Sequence, residues 1–174
     1  MVSLRSVLVL SCITVFGAVW SFEIQQTEAT VPSGSLSLET APPCIKLYDL
    51  LKKYSDQYDV PFGIAYGVAA TESGYRGPFD WDYDPKLKSG GYAYGAMQVQ
   101  VATANLVWNN TKRVKAWDLL NDLDLNVETS MRALAHLKKT YGTWEAALGC
   151  YNTGQPIVNY YALEIIRISK RKDL

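Results

Sequence analysis

Apolar residues recur at spacings of three and four through most of the chain. Ile45, Leu47, Tyr48, Leu50, Leu51, Tyr54 and Tyr58 form one such stripe, which predicts an amphipathic first helix over 44–59. The next segment has no stripe at all. From Val60 to Thr71 the chain reads VPFGIAYGVAAT, apolar on all sides and uncharged. A helix of that kind must be buried; Pro61 is suited to open it and Gly74 to cap it. A polar, aromatic loop, GPFDWDYDPKLKSGGYAYG, follows. Beyond it, helices are predicted over 102–107, 124–140, 143–151 and 156–170. No alternating run is long enough to predict a strand, so the fold class is all-α.

The first 43 residues stand apart from this pattern. MVSLR carries one positive charge and is followed by the apolar run SVLVLSCITVFGAVW, which has the length of a signal-peptide core and is short for a membrane span. Cleavage after Ser21 is expected, with an uncleaved anchor or lipid attachment at Cys12 as the alternatives. Residues 22–43, rich in Ser, Thr, Glu and Pro, are expected to be a flexible linker. The folded domain is then 44–174.

Composition narrows the function classes. The chain has 174 residues, 48% hydrophobic, with 17 basic and 17 acidic side chains, enough for one domain with a core. Zero net charge gives no footprint for nucleic acid. The single histidine, His136, sits on a predicted helix without a Cys or His cluster, so no metal and no cofactor are expected, and a surface role fits it. With Cys12 removed, Cys44 and Cys150 permit a disulfide in an exported chain; equally, Cys150 suits an apolar helix face as a small buried residue. The sequon Asn109-Asn110-Thr111 matters only in a eukaryotic secretory pathway.

Glu72 is the residue that calls for chemistry. It closes the apolar helix, where desolvation and the negative end of the helix dipole both favour its neutral form. A carboxyl group that keeps its proton near neutral pH is what a general acid at a glycosidic oxygen requires. The plain alternative is a solvated carboxylate, or one paired with Arg76 four residues on.

Four motifs in order bear on that choice. Glu72-Ser73 is followed by Gly95-Ala96-Met97-Gln98, by Asn126 within LNVETSMRALAHL, and by Tyr151-Asn152 within GCYNTG. Together, over about residues 44–165, they resemble the soluble lytic transglycosylase family, related to goose-type lysozymes. The resemblance implies a lysozyme-like helical domain with a substrate groove, acting as a monomer on peptidoglycan glycan strands. It makes Glu72 the sole catalytic acid/base and Ser73 its neighbour in placing substrate. Gly95, Met97 and Gln98 would line the cleft floor, Tyr151 would hydrogen-bond near Glu72, and Asn152 would hold the N-acetyl group. Ordinary roles stand beside these: Met97 as core, Tyr151 as a half-buried helix residue, Asn152 as a helix cap. The chain departs from the family pattern at Ala96, Ser130, Ala133, Cys150 and Thr153, all of which bear on pocket shape.

The implied reaction cleaves the β-1,4 bond between N-acetylmuramic acid and N-acetylglucosamine and leaves a 1,6-anhydro end. A lysozyme-like hydrolase is the alternative if Asp80, Asp82 or Asp84 activates water; a non-catalytic glycan-binding or assembly protein is another. Phe79, Trp81 and Tyr83 are expected to form a sugar-stacking rim. D-W-D-Y-D-P lacks the glycine and glutamate of a calcium loop. An exported enzyme of this kind would work in the bacterial periplasm or envelope, with a secretion or conjugation machine, or in a phage particle.

Overall fold

A computed structural model describes residues 40–109 and 111–174. The expected signal peptide, the linker as far as residue 39 and Asn110 of the sequon lie outside the described residues. Among the described residues, seven helices carry the fold: α1 Pro43–Tyr58, α2 Phe62–Ser73, α3 Val101–Val107, α4 Ala116–Asn121, α5 Leu123–Tyr141, α6 Trp144–Thr153 and α7 Tyr160–Ser169. Between α2 and α3, β1 (Ala93–Tyr94) pairs antiparallel with β2 (Val99–Gln100), Ala93 opposite Gln100 and Tyr94 opposite Val99. The fold is all-α and lysozyme-like, as the helical spacing and the resemblance imply.

Local chemistry sets most of the boundaries. Asp122, Thr143 and Asn159 cap α5, α6 and α7, each side chain accepting a backbone N–H one turn in. Gly74, Gly142 and Gly154 end their helices in the left-handed conformation. Three details differ from the sequence reading. Pro61 caps α2 from outside instead of entering it. The last helix begins at Tyr160, not Pro156, because Asn159 supplies the cap and residues 156–158 stay non-helical before it, with the Ile157 N–H turned back to the Gln155 carbonyl. The six-residue α4 and the two-residue strands are too short to leave a period in the sequence.

The buried helix α2 is the centre of the arrangement. It packs lengthwise against α7, and its glycines make that approach possible. A Cβ on Gly63 would come within 2.6 Å of the Ser169 carbonyl, and one on Gly67 within 2.9 Å of Ile165 Cγ2. These contacts step four residues along both helices in opposite directions. The next step brings Tyr161 beside Glu72. Around this pair of helices, α1 packs on α5 and α5 on α6, sealing a core that includes Leu47, Leu51, Met97, Met131, Leu134, Leu148 and Ile165.

Candidate active site

Glu72 lies half-buried in the last turn of α2, at the wall of a groove of about 600 Å³. Its Oε1 accepts a 2.6 Å hydrogen bond from the phenol of Tyr161. Burial raises the Glu72 pKa above its ordinary value, and the Tyr161 bond, which favours the anion, offsets only part of that rise. Arg76 is no partner to it: the guanidinium pairs with Asp80, 3.1 Å away. The Tyr161 hydroxyl is itself pushed far above the usual phenol range, first by burial and then by the charge of Glu72, so it remains a proton donor. Among the described residues that line the groove, Glu72 is the one carboxylate.

The groove is also lined by Gln98 at the Gly95–Gln98 turn and by Tyr151, Asn152 and Cys150 on α6, with Ala133 and His136 contributed by α5. The turn is held by Asn126, which is fully buried. Its Nδ2 donates to the carbonyls of Tyr94 (2.7 Å) and Leu119 (3.1 Å), and its Oδ1 accepts from the N–H of Met97 (2.9 Å). Gly95 is required here: φ is +78°, and a Cβ would overlap the Asn126 amide. Gln98 follows with φ +47° and donates its Nε2 to the carbonyls of Gly95 and Leu87. Tyr151 donates to the Met97 carbonyl at 2.8 Å and meets Ser130 Oγ at 2.9 Å. Asn152 Oδ1 accepts from Asn159 Nδ2 at 3.1 Å; Gly154, not Asn152, caps α6.

Of the residues singled out by sequence, Glu72, Gln98, Tyr151 and Asn152 meet at the groove, whereas Ser73, Gly95 and Met97 stand behind its surface. Met97 is fully buried core. Ser73 donates to the Ala69 carbonyl or shares its proton with the Tyr83 phenol, 2.8 Å away. That phenol takes Tyr83 out of the expected aromatic rim: its ring is buried edge-on against Tyr75, and its pKa is pushed up to about 12 by burial. Phe79 and Trp81 remain exposed. Cys44 and Cys150 are both free thiols, Cys44 buried in α1 and Cys150 at the groove.

Tyr161 escaped the sequence reading. A signal was present: Tyr161, Ile165 and Ile168 fall on one face of α7, so a phenol occupies the apolar stripe of an amphipathic helix. Such a hydroxyl requires a buried partner, and which partner depends on how α7 docks.

A helical, lysozyme-like domain with a groove walled by one partly desolvated glutamate defines a saccharide-cleaving class of enzyme. Residues 49–164 match the Transglycosylase SLT domain family, and the chain belongs to it. Comparison with curated proteins returns no match. The enzyme is accordingly a lytic transglycosylase, performing lyase-type cleavage of glycosidic bonds in peptidoglycan. Its substrate lies outside the cytoplasm. Among the described residues, no helix is long and apolar enough to cross a membrane.

Proposed function

We propose that Glu72 alone supplies both the acid and the base that cleave the bond between N-acetylmuramic acid and N-acetylglucosamine, leaving 1,6-anhydro-muramic ends. The observation that carries this reading is that no second carboxylate accompanies Glu72 among the described residues lining the groove. Two-carboxylate glycosidases need one on each side of the scissile bond. Asp80 is engaged by Arg76, Asp84 accepts the Lys86 N–H at 2.9 Å, and neither lines the groove; Asp82 is likewise outside it. Among the described residues lining the groove, then, Glu72 is the carboxylate that supports a single-carboxylate reaction over the hydrolase alternative.

The protonated Glu72 gives its proton to the glycosidic oxygen as the bond to the muramic C1 breaks. The substrate's N-acetyl group stabilises the positive charge that develops at C1. Glu72, now anionic and held by the Tyr161 hydroxyl, takes the proton from the C6 hydroxyl while O6 bonds to C1. The carboxyl group ends as it began. A raised pKa suits the first half of the cycle and the Tyr161 bond the second. Asn152, its Oδ1 already occupied by Asn159, keeps its NH₂ to donate to the N-acetyl carbonyl. Tyr151 and Gln98 line the same groove, and Ser73 acts behind Glu72. The reading includes export directed by residues 1–21 and action as a monomer on glycan strands of the envelope.

Mass spectrometry of peptidoglycan digests tests the reaction. Muropeptides with anhydro ends are expected from the wild type and not from Glu72→Gln. Products heavier by one water, with reducing ends, would overturn the single-carboxylate reading.

A further inference from the structure

We propose that the wall built by α3 and α5 is a subsite for the stem peptide of the muramic residue, with Leu106 and His136 as its specificity-determining residues. The inference rests on the groove being the saccharide site, as read above.

Both helices present a face to the groove. Thr103, Leu106 and Val107 line it from α3, and Ala133, His136 and Leu137 from α5. Each set has the spacing i, i+3, i+4, which places its members on one side of a helix. The two helices are held together at one end of this wall. Trp108, which closes α3, donates its indole N–H to Thr129 Oγ1 at 2.9 Å, and the Arg132 guanidinium lies 4.0 Å over its ring. The wall is therefore built before any ligand arrives.

Its chemistry is mainly aliphatic. Leu106 lines the groove and yet is 74% exposed, with Val107 and Leu137 half-buried in the same wall. A lone exposed leucine is ordinary, whereas an apolar patch set in a groove among polar groups marks a binding site. Among the described residues of this wall none is aromatic, so it offers no ring on which a sugar could stack. Aliphatic side chains suit methyl groups. On a peptidoglycan strand the lactyl ether and the first alanine carry methyls at the root of the stem, on the muramic residue alone.

His136 supplies the polar complement. Elsewhere in the groove polar side chains are engaged by the protein: Glu72 by Tyr161, the Gln98 amide nitrogen by the Gly95 and Leu87 carbonyls, Asn152 Oδ1 by Asn159. Among the described residues the His136 ring has no such partner; only its backbone carbonyl is used, by Thr140. An imidazole can donate to a carbonyl or carboxylate oxygen. The stem offers both, next to the methyls that Leu106 would cover. The enzyme would then act on strands that still carry stems, before hydrolysis of the amide joining lactyl group and alanine.

The full chain is tested on glycan strands with intact stems and on the same strands stripped of stems by an amidase. Wild-type kcat/KM is expected to be at least about tenfold higher on intact strands, mainly through KM. Leu106→Ser and His136→Ala should each reduce that preference by about fivefold and leave turnover of stripped strands within about twofold of wild type. His136→Gln, which keeps an N–H donor, should retain part of the preference. Equal rates on the two strands, or variants that lose both activities in proportion, would overturn the proposal. Absence of wild-type turnover on either strand would sink the cleavage reading instead, and the subsite is then decided by NMR. His136 is the single histidine of the chain, so its imidazole resonance is assigned without ambiguity. N-acetylmuramyl-L-alanyl-D-isoglutamine should shift it and N-acetylmuramic acid should not; no shift, or equal shifts, overturns the subsite.

Discussion

Glu72 and Glu128 are both helical glutamates that accept a short hydrogen bond from a tyrosine of another helix, Glu72 from Tyr161 at 2.6 Å and Glu128 from Tyr58 at 2.5 Å. Their surroundings then diverge. Glu128 also receives the guanidinium of Arg132 at 2.9 Å and lies within 3.4 Å of the Tyr54 hydroxyl, while Arg132 stacks 4.0 Å over the Trp108 ring. Around Glu128 the phenols of Tyr54 and Tyr58 are pushed up to about 12, chiefly by burial. Among the described residues no cation pairs with Glu72. The difference teaches what separates a strut from a reagent. A carboxylate with a fixed cation is tied to a structural partner, whereas one that is desolvated and held by a neutral donor stands ready to hold a proton and to release it.

The sharpest way to break this contrast is to neutralise each carboxylate in turn. Glu72→Gln should reduce turnover by at least about a hundredfold, the scale of a lost general acid, with the fold retained. Measurement of released muropeptides checks it; substantial residual turnover would remove Glu72 from the chemistry. Stability sharpens the point. The Glu72 pKa is raised on folding, so the folded state binds the extra proton between the ordinary value of 4.5 and the raised one, and wild-type stability is lost as pH climbs through that window. Gln has no such loss. The melting temperature of Glu72→Gln relative to wild type should therefore rise between pH 4 and pH 7.

Glu128→Gln should do the reverse, leaving turnover within about twofold while lowering stability by about 2 kcal/mol, since a charge-assisted pair and a phenol lose their anion. Chemical denaturation checks it. An inactive but stable Glu128→Gln would dissolve the contrast.

Tyr161→Phe removes the donor from Glu72 and leaves the ring. The anion loses its one bond, so the Glu72 pKa should rise further. Because the reaction begins from the protonated acid, the alkaline limb of the pH–rate profile should move to higher pH, while the rate at the optimum falls by about tenfold. A limb that stays in place would mean that Tyr161 only packs.

The smallest effect is expected at the edge of the strut, where Lys53 meets Asp124 at 3.2 Å with both side chains about half exposed. Lys53→Ala should change stability by less than about 1 kcal/mol and turnover not at all. A larger loss would show that the whole α1–α5 cluster acts as one unit.

Much of this molecule could be read along the chain. The helices α1, α2, α5 and α6 follow from period and caps, and the resemblance drew attention to Glu72, Gln98, Tyr151 and Asn152. What misled was local plausibility. Phe79, Trp81 and Tyr83 look alike in one loop, yet Tyr83 is drawn into the core by Tyr75 and Ser73 while the other two face solvent. Asn126 appeared as one letter of a motif, and its three bonds to the 94–97 turn and Leu119 show it to be the clamp of the groove floor.

By itself the sequence determined where the longer helices form, that α2 must be buried, and that a carboxylate ends it, because periodicity, capping and desolvation act over a few residues. Only tertiary structure decided that the carboxylate faces a phenol and not a cation. Tyr161 is far from Glu72 along the chain and reaches it because Gly63 and Gly67 let α7 lie close against α2. Likewise, Ser130 and Tyr151 become one hydrogen-bonded unit only where α5 and α6 pack. The charge state of a buried group depends on the neighbours that packing supplies, and packing is a property of the whole fold.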